Sequence, residues 1–468
     1  MITSYKTRFF HLAVLLAVCT SALFAHSAAQ TTEEILTEVA EKLAQRDFFT
    51  ALELFDSLNP EDAQNPEILV MRASILNSAG RPTEARAMAN RVIAVEPENT
   101  DALMVIADAA LLEGNDRERR SILDRIIRIE PDNARALINL GKISLNAGNL
   151  RVAANHFDRV LAANPNHGEA LVARAMVHRF SREPIPAERL LNRAVVMYPR
   201  WASPLQERAR LYRSAGFLAD ALEDLRRASI LDPQNSWIAV DLGLTLKELN
   251  RREEALDEFI RAANLDPHNF LAFIYSASLR GQFGDFEGAM RDYETLTRIR
   301  PDYFFAFEGL GMLRMRNHDW AGARDAFLEA YRQAPTEFSY ALLATVNWMR
   351  AVNQTDPRRF LAQVLRTAPR DSLEHAMLRL FHDLRGDLDI AIRIESEPNL
   401  NTRSSMLFYL AHFHDIRGNT NLANRYFLMV RDLNRVGTLE WRLNEWILEE
   451  RGFSVPAQAP GAEAGERG

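Results

Sequence analysis

The 468-residue chain contains a single cysteine, Cys19, which lies close to the N-terminus. The remainder of the chain therefore offers no thiol for a disulfide, for redox chemistry or for a thiolate metal site. The sequence also lacks a glycine-rich phosphate loop, an HExxH pair, a GxSxG elbow and the signatures of kinases and deaminases. These absences predict a protein that has no enzymatic activity and needs no cofactor or metal.

Histidines are the remaining candidates for metal ligands. His375 and His382 are seven residues apart, and His412 and His414 form an HxH pair. Side chains two residues apart on a helix point in divergent directions, and no carboxylate joins these histidines at a convincing ligand spacing. We interpret them as ordinary helix residues.

The chain carries a net charge of −7. An excess of acidic residues argues against nucleic acid as a partner. A hydrophobic share of 47% is ordinary for a folded protein, but 468 residues exceed the size at which one core stays compact. Several domains or an extended repeat stack are therefore expected.

The N-terminus has the pattern of a secretory signal. Lys6 and Arg8 precede an apolar run that ends near Ala25, and small residues follow it. We predict that residues 1–29 are removed on export and that the protein is periplasmic. A second possibility is a lipoprotein, since Leu-Ala-Val before Cys19 resembles a degenerate lipobox, and membrane association is expected only in that case.

Prolines recur along the chain at a spacing of 34 residues. Nine follow one another in this register: Pro97, Pro131, Pro165, Pro199, Pro233, Pro267, Pro301, Pro335 and Pro369. In the same register lie Ala-x-x-x-Phe steps at Ala153–Phe157, Ala255–Phe259 and Ala323–Phe327, and Leu-Gly pairs ending at Gly141, Gly243 and Gly311. A fixed period of this size indicates stacked supersecondary units that cannot bury their apolar faces alone.

These residues resemble the signature of the tetratricopeptide repeat family. The resemblance implies an all-α, right-handed α-solenoid superhelix of stacked helix-turn-helix repeats. Pro357 stands where a helix B alanine is expected, which predicts a short second helix there. The predicted organisation is a signal at 1–29, about twelve repeats over 30–437 with exact phase over 66–371 and irregularity near 338–403, a capping helix at 438–452 and a disordered tail at 453–468.

The resemblance also implies where a protein or peptide partner would dock: the concave surface lined by the first helix, helix A, of each repeat. Positions 2, 5, 9 and 12 of helix A share one helical face. The candidate contact residues at these positions are basic Arg179, Arg210, Arg213 and Lys247, and apolar Trp237, Leu271, Phe305, Met312 and Met315. Arg135, Asn139 and Lys142 resemble a carboxylate clamp, but they crowd into one helix, so we interpret them as a solvated face.

The sequence therefore predicts an exported scaffold that binds a protein or peptide in a bacterial cell envelope. Two alternatives stay open. One is an accessory subunit of an envelope enzyme or polysaccharide secretion machine, and the other is a lipid-anchored assembly factor of the outer membrane.

Export has a direct mass signature. The intact mass of the exported protein is expected to lack the first 29 residues or so, because signal peptidase cuts after small residues. A diacylglycerol-modified Cys19 at the mature N-terminus, also read from the mass, would contradict this and favour the lipoprotein.

Overall fold

The computed structural model describes residues 31–351 and 356–453, so the predicted signal, Cys19 and residues 454–468 of the predicted tail lie outside the described residues. The described residues form an all-α fold of 25 helices. They divide into two compact units, one ending at Leu249 and the other beginning at Asn250. No helix in this part of the chain has the length and apolar character needed to cross a bilayer.

Unit 1 contains helices α1 to α13. Their bounds are α1 Thr32–Ala44, α2 Phe48–Leu54, α3 Pro66–Ser78, α4 Pro82–Val95, α5 Thr100–Leu112, α6 Asp116–Ile129, α7 Ala134–Asn146, α8 Leu150–Ala163, α9 Gly168–Phe180, α10 Pro184–Met197, α11 Ala202–Ser214, α12 Leu218–Leu231 and α13 Ser236–Glu248. Successive helices pack as antiparallel pairs, and the odd-numbered A helices also contact one another from α7 to α13.

Unit 2 contains helices α14 to α25. Their bounds are α14 Arg252–Leu265, α15 Phe270–Gln282, α16 Phe286–Ile299, α17 Phe304–Arg316, α18 Trp320–Gln333, α19 Phe338–Arg350, α20 Arg358–Val364, α21 Leu373–Asp383, α22 Asp387–Glu395, α23 Leu400–Ile416, α24 Thr420–Leu433 and α25 Leu439–Glu450. As predicted from Pro357, α20 begins directly after this proline and has only seven residues. Around it, the A helices α19, α21 and α23 contact one another.

The repeated sequence pattern sets where each helix begins and turns. In four repeats an asparagine two residues after the periodic proline accepts a hydrogen bond from a first-turn amide, as Asn133 does from Ala136 N at 3.0 Å. The turn between the two helices of a pair needs a left-handed residue, which is Gly148 at φ +74° in one repeat and Arg182 at φ +60° in the next.

Close approach of the two helices in a pair explains the Leu-Gly and Ala-x-x-x-Phe motifs. Gly141 on α7 lies against the fully buried ring of Phe157 on α8, and a methyl group at Gly141 would overlap this ring. The same relation joins Gly311 on α17 to Phe327 on α18. A small residue on helix A therefore makes room for the aromatic ring of helix B.

Two glycine substitutions test this packing with opposite expected signs. Gly141→Ala should lower the free energy of unfolding by about 1 to 3 kcal/mol, because the new methyl group overpacks against Phe157. Gly281→Ala, also within an A helix but with open space around the site, should raise it by about 0.5 to 1 kcal/mol. Urea denaturation followed by circular dichroism measures both, and equal effects would contradict the packing.

Candidate functional site

Buried carboxylates organise the A-helix face of unit 1. Glu207 on α11 and Asp241 on α13 are each only 5% exposed. Arg210 lies between them: its Nη1 donates to Glu207 Oε1 at 2.6 Å, and its Nε donates to Asp241 Oδ2 at 2.8 Å. Burial alone would lower the pKa of Arg210, but the two carboxylates hold this pKa above its ordinary value. Arg210 therefore stays charged and ties α11 to α13.

Two further arginines lie beside Arg210: Arg179 on the preceding A helix, α9, and Arg213 on α11 itself. Arg179 Nη2 donates to Glu207 Oε2 at 3.3 Å, and its guanidinium lies 4.4 Å from the centre of the exposed Phe180 ring. Arg213 Nε is 3.8 Å from Glu248 Oε1, which is too long for a hydrogen bond. Arg213 is thus the more weakly paired of the two.

These side chains line a pocket with a volume of about 360 Å³. The lining residues are Arg179, Arg210, Arg213, Ser214 and Glu248. Arg179 Nε and Arg213 Nη1 are buried and have no hydrogen-bond acceptor among the described residues. A buried guanidinium donor without an acceptor is costly, and a carboxylate or another oxyanion satisfies guanidinium donors in pairs. The pocket can therefore bind an anionic group.

The structure brings together Arg179, Arg210 and Arg213, which are three of the four basic residues predicted to contact a partner. The fourth, Lys247, does not line the pocket. Lys247 occupies the register of Arg213 on the next A helix, α13, and is half-buried. Trp237 is also half-buried and lies at the other end of α13. Ten residues of helix separate positions 2 and 12, or about 15 Å, so the aromatic and basic positions follow opposite edges of the A-helix face.

In unit 2, the predicted apolar residues have different environments. Leu271 on α15 is half-buried, whereas Phe305 on α17 is 48% exposed and stacks on Phe304 with ring centres 4.1 Å apart. The prediction that Met312 and Met315 are contact residues available to a partner is wrong. They are 3% and 4% exposed. They belong to the core of unit 2, and Asn347 Nδ2 lies 3.5 Å from the sulfur of Met315.

The clamp-like set on α7 is paired within the protein. Arg135 Nη2 donates to Asp108 Oδ2 at 2.7 Å, and Lys142 donates to Glu169. Asn139 accepts a hydrogen bond from Arg119 at 2.9 Å. Arg135 and Lys142 thus join successive A helices, and Asn139 joins α7 to the B helix α6.

The histidines also have protein surroundings. His412 is buried, with its Nδ1 3.1 Å from Arg350 Nη2. Burial lowers the pKa of His412, and the neighbouring Arg350 and Arg451 lower it further. Within residues 31–351 and 356–453, no group of three histidine, cysteine, aspartate or glutamate side chains is arranged to hold a metal ion.

Comparisons with known proteins agree with this geometry. Family models described as tetratricopeptide repeat match residues 76–143, 138–200, 238–269 and 276–338. The chain belongs to the tetratricopeptide repeat family. No curated protein sequence matches it.

Three solved structures illustrate what this repeat protein is similar to. A tetratricopeptide repeat protein from Parabacteroides merdae is 19% identical, with 53% of this chain and 97% of that chain covered and a TM-score of 0.44. PilF of Pseudomonas aeruginosa is 21% identical, with 44% of this chain and 95% of that chain covered and a TM-score of 0.40. The APC/C hetero-tetramer Cut9-Hcn1 is 14% identical, with 67% of this chain and 62% of that chain covered and a TM-score of 0.47.

Sequence reasoning missed the carboxylates of this tetratricopeptide repeat protein that hold the arginines. Glu207 and Asp241 are 34 residues apart and so occupy the same position of successive A helices. That spacing is a signal, but position 6 was not among the positions considered for docking. Ser214 and Glu248, which line the pocket, form a second pair at the same spacing.

The bridge made by Arg210 has a measurable effect on stability. Arg210→Ala should lower the free energy of unfolding by about 1.5 to 3 kcal/mol, because it removes charged hydrogen bonds and leaves Glu207 and Asp241 without this partner. The matched control is Arg227→Ala on α12, whose exposed guanidinium is 4.0 Å from Asp224, too far for a hydrogen bond, and whose loss should cost less than about 0.5 kcal/mol. Chemical denaturation compares them, and a loss no larger than the control's would exclude the bridge.

Proposed function

We propose that this tetratricopeptide repeat protein is an exported, non-catalytic scaffold that binds an acidic segment of a partner protein on the A helices of unit 1. One observation carries the proposal: the arginine-lined pocket contains two buried guanidinium nitrogens that have no acceptor among the described residues. The N-terminal signal pattern supports export, and repeats of this family generally mediate binding between proteins.

The pocket favours a carboxylate on an extended chain. Glu207 and Asp241 already pair with Arg210, so the attraction for a negatively charged group comes from the incompletely paired guanidiniums of Arg179 and Arg213. An extended peptide advances about 3.3 Å per residue, and about five residues would therefore reach from the arginine edge to Trp237. We assign the acidic group of the ligand to Arg179 and Arg213 and an apolar side chain of the ligand to Trp237.

A library of random peptides tests this function with a defined probe. Peptides selected on the full chain should be enriched in aspartate and glutamate, and their affinity for Arg213→Gln should be at least tenfold lower, a loss of about 1.4 kcal/mol. Arg213 is the suitable position because its contact with Glu248 is long and the Arg210 bridge stays intact. Arg226→Gln, at an exposed arginine of α12, is the matched control and should keep the wild-type affinity.

Two results would overturn the proposal. One is a set of selected peptides without acidic enrichment. The other is equal binding to the Arg213→Gln and Arg226→Gln proteins, which would move the site away from the pocket.

A further inference from the structure

The last helix, α25, does more than close the end of the stack. It packs on α23 and α24, the final pair, as a capping helix would, but it also reaches back to α17. Its Leu443 and Leu448 join the same core as Met312 and Met315. A cap would need contact only with the final pair, so this wider contact requires another explanation.

The N-terminal turn of α25 is held by a specific polar cradle. Glu440 is only 3% exposed. It accepts hydrogen bonds from Ser339 Oγ on α19 at 2.7 Å, from Tyr409 Oη on α23 at 2.7 Å and from Ser405 Oγ on α23 at 3.0 Å. Burial and the Glu440 carboxylate raise the pKa of Tyr409 well above its ordinary value, so this phenol keeps the proton that it donates.

Aromatic contacts hold the middle of the helix. The ring of Trp446 meets that of Phe286, the first residue of α16, edge to face at 5.6 Å. Arg316, at the end of α17, lies 3.7 Å from the centre of the Phe286 ring and 5.7 Å from that of Trp446. Trp446 remains half-buried and packs against the edge of the unit 2 core.

Ion pairs secure the C-terminal end. Arg451 Nη2 lies 2.8 Å from Asp415 Oδ1 on α23, and Glu450 Oε1 lies 3.0 Å from His318 Nε2. Burial would raise the pKa of Asp415, but its bonds to Arg451 and Arg350 keep this pKa below its ordinary value. The end of α25 is therefore fixed by charged groups.

We propose that the A-helix face made by α17, α19 and α23 is a receptor for an amphipathic helix, that α25 is its intramolecular occupant, and that a partner's helix of the same chemistry replaces it. The partner helix carries a glutamate in its first turn and bulky apolar residues three, seven and eight positions later, as Glu440, Leu443, Ile447 and Leu448 do in α25. The site lies in unit 2 and does not depend on the arginine pocket of unit 1.

Three features fit exchange better than a permanent core helix. A non-helical linker with left-handed Asn434 joins α25 to α24. Polar contacts hold α25 at both ends and, through Asn444 and Glu445, along the side that faces α24. Trp441 and Trp446 are only half-buried, and Trp441 Nε1 is buried without an acceptor among the described residues. A short isolated helix is marginally stable in water, so α25 forms through its docking and can be released from it.

A labelled synthetic peptide of residues 437–453 is the probe. On the wild-type chain it competes with a tethered copy at an effective concentration in the millimolar range, and its binding should be weak. On Glu440→Ala, which loses the cradle, its affinity should be at least tenfold higher. Glu449→Ala, on the exposed side of α25, is the matched control and should behave as wild type. A peptide that carries Glu440→Ala should bind the Glu440→Ala chain at least tenfold more weakly.

Hydrogen exchange on the wild-type chain gives a second readout that needs no variant. Amides of α25 should exchange at least tenfold faster than those of α24. Equal exchange rates, or equal or absent peptide binding to the Glu440→Ala and Glu449→Ala chains, would make α25 a permanent part of the core and overturn the proposal. A Glu440→Ala dimer in sedimentation would also overturn it, because the occupant would then be α25 of a second copy.

Discussion

The close approach of the two helices in each pair is the constraint on which the rest of the structure depends. Gly141 leaves space for the ring of Phe157, and Gly311 leaves space for Phe327. A pair packed in this way still has an apolar face that only the next pair can cover. The chain must therefore repeat the same spacing, and the repeat brings equivalent positions of successive A helices next to one another.

Charged residues on those positions become ladders whose members pair between helices. Ion pairs of this kind cross-link successive A helices of unit 1. They join Asp108 to Arg135, Lys142 to Glu169, and Arg210 to both Glu207 and Asp241. These charged side chains bind one another, although the sequence alone would suggest that they are available to a ligand. The pocket forms where the pairing is incomplete, at Arg179 and Arg213. In unit 2 the A-helix face around α17, α19 and α23 is instead covered by α25.

The helices and the repeat period follow from the sequence because they rest on local signals. Periodic prolines, asparagine caps and left-handed turn residues each act within a few residues. The register of Arg179, Arg213 and Lys247 follows from the same 34-residue spacing. The burial of Met312 and Met315 could not be predicted in this way, since it arises from the packing of the unit 2 core. The hydrogen bonds of Glu440 could not be predicted either, because the one from Ser339 joins residues that are 101 positions apart.

A crystal structure of the full chain with an acidic peptide selected from a random library tests the central claim most directly. The account predicts a carboxylate of the peptide in the pocket, with its oxygens about 3 Å from Arg179 Nε and Arg213 Nη1. The Arg210 bridge to Glu207 and Asp241 should be unchanged. A peptide bound on the B helices of unit 1, with these two nitrogens still lacking an acceptor, would contradict it.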